Sequence, residues 1–579
     1  MERRVLIAIF LSFIVLYAYQ AIFVPSPPPT RSPSSPPASS ETSPASGAQP
    51  GTPEAAPAAT APATIKPIVG ESSERDVVLD TTTVRAVFTN RGARIRQWLL
   101  KTYRDDAGEP VNLVPTDQPP DQPLPFSLRI DEGGLTPILN NALYRVVTHE
   151  GDTPGKPALL VFEFEDASGL KVRKEFRLDP ESYVITFSAT VRQGDGPPLN
   201  PFVQWGPGLG DVGATSGGGS FFTGNYVQPP QAMLHNGNDV VRVAASKIPE
   251  QPVYEGSFRF AGVDDHYFLA AAVRPPQARI EYRPVTLPVS SDPTRQRQLL
   301  AHTYRFAQPP NGVSFYFGPK QFDVLKSVDG ELVRAIQFGF FAWLAVPLLG
   351  ALKWVYGFVG NYGWAIIILT ILINLAIFPL RQKSVVSMRK MQALQPQLKA
   401  IQDRYADLKV TDPARQKMNT EIMNLYREKG VNPASGCVPM LLTLPVLFAF
   451  YSLLSAAIEL RGAGFGGWIH DLSQHDPYYI TPVLMGATMF WQQKITPTSA
   501  DPTQQRMMMI MPLVFSFMFL RAPSGLVLYW FVSNLWAIGQ QYFTNWLIGP
   551  PTVHVARPPA ERRLKNAGSG RTRQAEKRS

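Results

Sequence analysis

"GWAIIILTILINLAIFPLRQKS", Gly363 to Ser384, is a run of branched aliphatic residues with one amide, Asn374, near its middle and two cations, Arg381 and Lys383, just past its end. Its uncharged length up to Leu380 suits a helix that crosses a bilayer. An amide at that depth needs either a partner on a neighbouring helix or water.

Beyond this segment, Arg381 to Lys429 carries eleven Lys or Arg against five acids, a bias that places it in the cytoplasm. Leu394, Leu398, Ile401, Tyr405 and Leu408 step by four and three, as do Met418, Ile422 and Leu425, which predicts the seam of a helical hairpin over 381–430. Asp412 and Pro413 give its second helix a start, and "GVNP" after Lys429 ends it. Further apolar stretches run Val438 to Ile458, Tyr478 to Trp491, Met507 to Leu520, and Leu526 to about Leu547.

On the N-terminal side, Arg3 and Arg4 precede about twenty apolar residues, which predicts a retained transmembrane anchor over 1–24 with a cytoplasmic start. Residues 25–75 are rich in Pro, Ala and Ser and cannot bury enough surface to fold, so they are a linker. From 76 to 320 the pattern alternates: Leu170, Val172, Phe176 and Leu178 oppose Lys171, Arg173, Glu175 and Arg177, and Tyr183, Ile185, Phe187, Ala189 and Val191 repeat it. A β-sandwich is expected. If this domain lies outside and Arg381 inside, one crossing separates them, so either Ala335 to Leu352 or Val359 to Leu380 does not span. The first contains Pro347 and is followed by Lys353, Trp354 and Tyr356; we assign 331–358 to an amphipathic helix at the outer interface. Six transmembrane helices remain, the last five within 359–548, and the basic tail over 549–579 returns to the cytoplasm.

Several chemistries are disfavoured. The single cysteine, Cys437, permits neither an intrachain disulfide nor a cysteine metal site. Gly208, Gly210 and Gly213 fit a GxGxxG spacing but lead into "ATSGGGS" rather than a helix, so no helix N-terminus awaits a phosphate. Asp264, Asp265 and His266 lack a second cluster at metal-ligand spacing. The serine of "APSG", Ala522 to Gly525, has no histidine within a predicted span to act as its base. No span carries a central charge of the kind that ion-coupled transport uses.

The spans are instead mildly polar, with Thr370, Asn374, Thr443, Ser452, Thr488, Ser516, Tyr529, Ser533 and Asn534. These residues act either as hydrogen-bonding glue between helices or as the lining of a wet recess. Tyr478 to Trp491 and Met507 to Leu520 are short for a typical hydrocarbon core, which suits a recess in a locally thinned bilayer.

"FVGNYGWAIIILT", "VNPASGCVPMLLTLPV", "WIHDLSQHDPYYITPVLMGATMF" and "PSGLVLYWFVSNL" resemble the YidC/Oxa/Alb insertases, and the outer domain with its N-terminal anchor is similar to the Gram-negative type. The resemblance implies a polytopic α-helical protein of the inner membrane with a periplasmic β-supersandwich, a cytoplasmic hairpin and a groove open to cytoplasm and lipid. It implies insertion and folding of nascent membrane proteins, alone or with the Sec translocon (SecYEG and its accessory subunits), and no cofactor or enzymatic chemistry. The ribosome, through the basic tail, and membrane lipids are the other partners expected. The alternative is a scaffold that assembles the translocon without inserting anything.

The groove is expected to involve Thr370, Asn374, Thr443, Tyr529, Ser533 and Asn534, with Arg381, Lys383, Arg389 and Lys390 at its cytoplasmic mouth and hairpin. Where many relatives hold a groove arginine this sequence has Asn374, so electrostatic capture of acidic segments is expected to be weak, left to Arg381 and Lys383.

Overall fold

The computed structural model describes residues 67–105, 107–120, 122–131, 134–151, 156–209, 228–289, 292–405, 414–430, 438–496 and 502–549. The expected anchor, most of the linker, Gly210, Gly213, Leu408, Asp412, Pro413, Cys437 and the tail from 550 lie outside them.

The period-two stretches are strands, Leu170–Leu178 and Val184–Gln193, paired antiparallel in one ten-stranded sheet. A five-stranded sheet contains Asp292–Phe306 and Phe202–Gly208, and a four-stranded sheet is built from Asp76–Asp80, Val84–Thr89, Arg94–Arg104 and Pro110–Asn112. Both pack on the large sheet. The Trp98 indole N–H donates to the Phe317 carbonyl at 2.8 Å, and the Tyr304 hydroxyl to the Ala261 carbonyl at 2.8 Å, so each smaller sheet is bonded as well as packed to the large one. The helix Leu135–Asn141 (α1) follows the edge strand Ser127–Arg129. The ordered domain starts earlier than alternation suggested, because Pro67–Val69 is already a strand paired with Ala158–Asp166. Beside it, the Glu71 carboxylate accepts from Arg75, Asn90 and the Val146 amide.

Phe322–Val328 (α2) leads to Ala342–Val359 (α3), then Tyr362–Ala393 (α4), Gln395–Arg404 (α5), Ala414–Glu428 (α6), Val438–Ala456 (α7), Ile480–Ile495 (α8), Pro502–Met518 (α9) and Ser524–Ile548 (α10). The hairpin region is divided otherwise than expected: α4 continues unbroken through Arg381 to Ala393 before α5 begins. The α5 and α6 helices do pack together, with Leu394, Ile401 and Met418 buried and Glu421 bonded to Arg404 and Tyr405.

Helix α3 departs from expectation too. It begins at Ala342, after Gly339 turns the chain at φ 64°, and Lys353 is its one charge, so it is apolar on both faces rather than amphipathic. Ala345, Leu348, Leu352 and Val355 are buried, while Trp343 and Trp354 stand exposed. Among the described residues α3 and α4 alone are both long and apolar enough to cross a membrane; topology, not apolarity, has to separate them.

The β-domain and the helices meet at a charged seam. Arg461 lies over the rings of Tyr267 and Phe268 at 5.2 and 5.1 Å, and Lys353 pairs with Asp323 of α2 and reaches 3.8 Å from Glu459. Burial raises the Glu459 carboxyl's pKa, and Lys353 offsets only part of that.

In the β-domain, His302 is fully buried and His266 half-buried. His302 sits among Trp205, Tyr282 and Tyr304, and burial holds its pKa down to about 3. His266 is held to about 4 by burial and then by Lys320. Unfolded histidine protonates near pH 6.5, so between there and about pH 4 the unfolded chain binds protons the folded one refuses, and stability falls as pH falls. The loss amounts to about 3 kcal/mol per histidine by pH 4. Denaturant unfolding of the full chain at pH 7 and pH 4.5 should show it, and His302→Phe should remove about half of it; an unchanged acid sensitivity would show that His302 is not its source.

Candidate functional site

Asn361 caps α4: its carbonyl oxygen accepts from the Trp364 amide at 3.1 Å and its amide donates to the Gly464 carbonyl at 3.0 Å. Gly363 lets the Phe465 ring close against the first turn, where a Cβ would lie 2.0 Å from the ring. Fixed there, α4 packs on α3, α7 and α10, and α10 packs on α8.

Between these helices lies a cavity of ≈ 150 Å³, walled by Asn374 and Arg381 of α4, Val446 and Leu447 of α7, Gln492 of α8, and Tyr529, Ser533 and Asn534 of α10. The Asn374 side chain is 4 % exposed; its Nδ2 donates to the Thr370 carbonyl at 2.8 Å, and its Oδ1 accepts from Arg381 Nη1 at 3.1 Å. Seven residues are two helical turns, so Asn374 and Arg381 share a face, and the long arginine reaches back toward the amide. Pro379, between them, supplies no backbone donor to the helix ladder.

Arg381, expected at the cytoplasmic mouth, lines the cavity itself. The cation reaches the wall from the next two turns of the same helix, and it is the only charged group among the described residues that line the cavity.

The remaining residues divide. Tyr529 stacks on Phe450 at 4.4 Å and Ser533 lies one turn beyond it on the wall. Asn534 lines the cavity and also bridges helices, its Nδ2 reaching the Met485 carbonyl at 3.4 Å and Thr488 Oγ1 at 3.3 Å. Thr370 does not belong to the wall: it is wholly buried, and its hydroxyl donates to the Ile366 carbonyl at 2.6 Å. Thr488 and Ser516 likewise donate to carbonyls of their own helices. The Thr443 side chain lies outside the described residues. Gln492 was not anticipated, although it falls one turn after Thr488 on the face toward α10.

At the expected mouth, Lys383 and Lys390 are exposed. Arg389 is instead committed to the end of α10, donating to the Gly549 carbonyl at 2.6 Å and to Asn545, so it braces two helices.

The discarded chemistries have structural employment. Asp264 pairs with Lys320 at 3.1 Å, Asp265 accepts from the Tyr267 and Phe268 amides, and no metal-binding group is found among the described residues. Ser524 donates to the Asp471 and Gln474 carbonyls.

Residues 76–351 match the YidC periplasmic domain family and residues 354–549 match the family described as 60Kd inner membrane protein. The membrane protein insertase YidC of Syntrophus aciditrophicus is 33% identical to this chain, the match covering 94% of the chain and 99% of that relative. The one from Geobacter metallireducens is 35% identical, with 94% and 98% covered. The active YidC insertase whose crystal structure resolves the first transmembrane domain is similar at 18% identity, over 83% of this chain and 95% of that one, with a TM-score of 0.34.

Proposed function

The chain belongs to the YidC family of membrane protein insertases, and from that membership we propose how its own residues carry out insertion. It is an inner-membrane protein that acts on nascent membrane proteins, and its family is not one of enzymes.

In the mechanism we propose, the hydrophilic flank of a nascent segment enters the cavity between α4, α7, α8 and α10. There Asn374, Gln492, Tyr529, Ser533 and Asn534 stand in for water, and Arg381 attracts acidic side chains. The apolar part of the segment slides along α7 and α9 into lipid, driven by about 25 cal/mol for each Å² of apolar surface transferred. Helices α8 and α9, of 16 and 17 residues, are about 24 to 26 Å long against a core of about 30 Å, which favours a thinned bilayer beside the cavity. Exposed Leu513, Val514 and Phe517 on α9 give that route an apolar surface.

The observation that carries the reading is the Arg381 to Asn374 hydrogen bond on the wall of a cavity inside the helix bundle. In the same reading six helices cross the membrane with both ends in the cytoplasm, α3 lies at the outer interface, and α5 with α6 forms the cytoplasmic hairpin. The Sec translocon is its partner for larger substrates, and the basic tail binds ribosomal RNA through phosphates. Removing 550–579 should then weaken ribosome cosedimentation without abolishing insertion.

Hydration of the cavity is testable because the sequence holds a single cysteine, Cys437. In a Cys437→Ser background, Ser533→Cys should react with a membrane-impermeant maleimide added from the cytoplasmic side. Inertness there, with a cysteine at Lys383 reacting normally, would mean a dry cavity and would sink the proposed route.

A further inference from the structure

On another side of α4 and α10 runs a groove of ≈ 750 Å³ whose walls are almost wholly apolar, including Ile367, Ile371 and Phe378 of α4 and Leu528, Val532 and Phe543 of α10. From Leu528 to Phe543 it follows α10 for about 22 Å, more than the roughly 15 Å of one leaflet's hydrocarbon. Gly539 leaves it open, since a Cβ there would meet nothing within 4 Å.

Toward the inner end two polar groups face this apolar space. Gln540 is 8 % exposed and its Nε2 finds no acceptor among the described residues; neither does the indole Nε1 of Trp536, one turn earlier. Buried donors without acceptors are costly, so the groove is built for an occupant that brings an acceptor to its inner end. A transmembrane helix does not fit that requirement, because its backbone carbonyls are satisfied internally. An acyl chain ending in a glycerol ester does: the chain fills the groove, and the ester carbonyl accepts from Gln540 and Trp536. Arg389 is held against Asn545 and Gly549, beyond Phe543, the last α10 residue lining the groove, and is the cation we assign to the lipid phosphate.

We propose that the groove between α4 and α10 is a binding site for one anionic phospholipid, recognised by its acyl chain, its ester and its phosphate. The site is distinct from the substrate cavity, sharing none of that cavity's lining residues.

The test is native mass spectrometry of the full chain purified in detergent and titrated with phosphatidylglycerol or phosphatidylcholine. Wild type should retain one phosphatidylglycerol more tightly than phosphatidylcholine. Gly539→Phe, which fills the groove, should weaken that retention about tenfold or more, as excluding even two methylenes would. Gln540→Leu should weaken it less while keeping the chain's apolar contacts, and Gly539→Ala should be near wild type; matching melting curves establish that each variant is folded. Retention unaffected by both Gly539→Phe and Gln540→Leu would overturn the proposal. So would photocrosslinking from Leu535 to residues 1–24, which would assign the groove to the chain's own N-terminal segment.

Discussion

Replacing Arg381 by glutamine is expected to cut insertion of a single-span substrate with an acidic flank by about tenfold to a hundredfold. A substrate with a neutral flank should lose no more than about threefold. The physical source is the placement of the guanidinium: 3.1 Å from Asn374 Oδ1, on the wall of a cavity otherwise lined by neutral groups. Two unit charges 4 Å apart interact by about 4 kcal/mol at an effective dielectric constant of 20, and keeping a third of that in the crossing complex gives the tenfold effect. Arg381→Lys should retain much of the selectivity, because a lysine can bring its charge to the same wall with fewer donors. Equal losses for acidic and neutral flanks would mean that Arg381 only braces α4.

The second large effect is expected in the β-domain. Lys174 is completely buried, and its ammonium donates to the carbonyls of Gly92 at 2.6 Å, Phe126 at 2.9 Å and Ala93 at 3.3 Å. These acceptors lie just before the four-stranded sheet's Arg94–Arg104 strand and just before the five-stranded sheet's Ser127–Arg129, while Lys174 belongs to the ten-stranded sheet. One side chain therefore ties three sheets. Lys174→Met keeps most of the volume and strands three carbonyls, each worth about 1 to 3 kcal/mol when left unpaired, so a loss of about 3 to 5 kcal/mol is expected after relaxation. For a domain of this size that lowers the melting temperature of the β-rich transition by about 10 °C in circular dichroism of the full chain. Burial, and then neighbouring Arg94, push the Lys174 pKa well below its ordinary value. Between the depressed folded value and about 10.4 the unfolded chain binds more protons, so wild-type stability rises with pH across that interval. The variant should lose this rise; an unchanged melting temperature and pH profile would refute the role given to Lys174.

Lys174 also shows how much of the fold the sequence exposes. Alternation over 170–178 correctly assigns Leu170, Val172, Phe176 and Leu178 to the inner face, and the same phase puts Lys174 there. Its partners are carbonyls more than forty residues away, which no local pattern reveals. The limits of α7 and α10 follow the apolar runs closely, because length and apolarity are local properties, whereas α8 runs on to Ile495 and α9 starts at Pro502, each taking in polar residues beyond its apolar run. The start of α3 does not, since Gly339 interrupts a stretch whose composition alone reads as continuous. At the candidate site, the identity of Asn374 as a polar group at depth was legible. The destination of Arg381 was not: spacing fixes which face a side chain leaves from, whereas the direction in which a long side chain then extends is set by the partner it finds. Thr370 failed for the converse reason, its hydroxyl being satisfied by its own helix one turn back.

The central claim is that a cation on the wall of a polar cavity receives the hydrophilic flank. It is tested most directly by moving that cation. Wild type, Arg381→Gln, Asn374→Leu and the double variant Asn374→Arg with Arg381→Gln would each be reconstituted alone in liposomes and assayed for insertion of the acidic-flanked substrate. Wild-type insertion above empty liposomes, lost in both single variants and recovered in the double variant, is the predicted result. Insertion no greater than in empty liposomes, or an active protein indifferent to all these changes, would contradict it, leaving Asn374 and Arg381 as packing residues and, in the first case, favouring a scaffold.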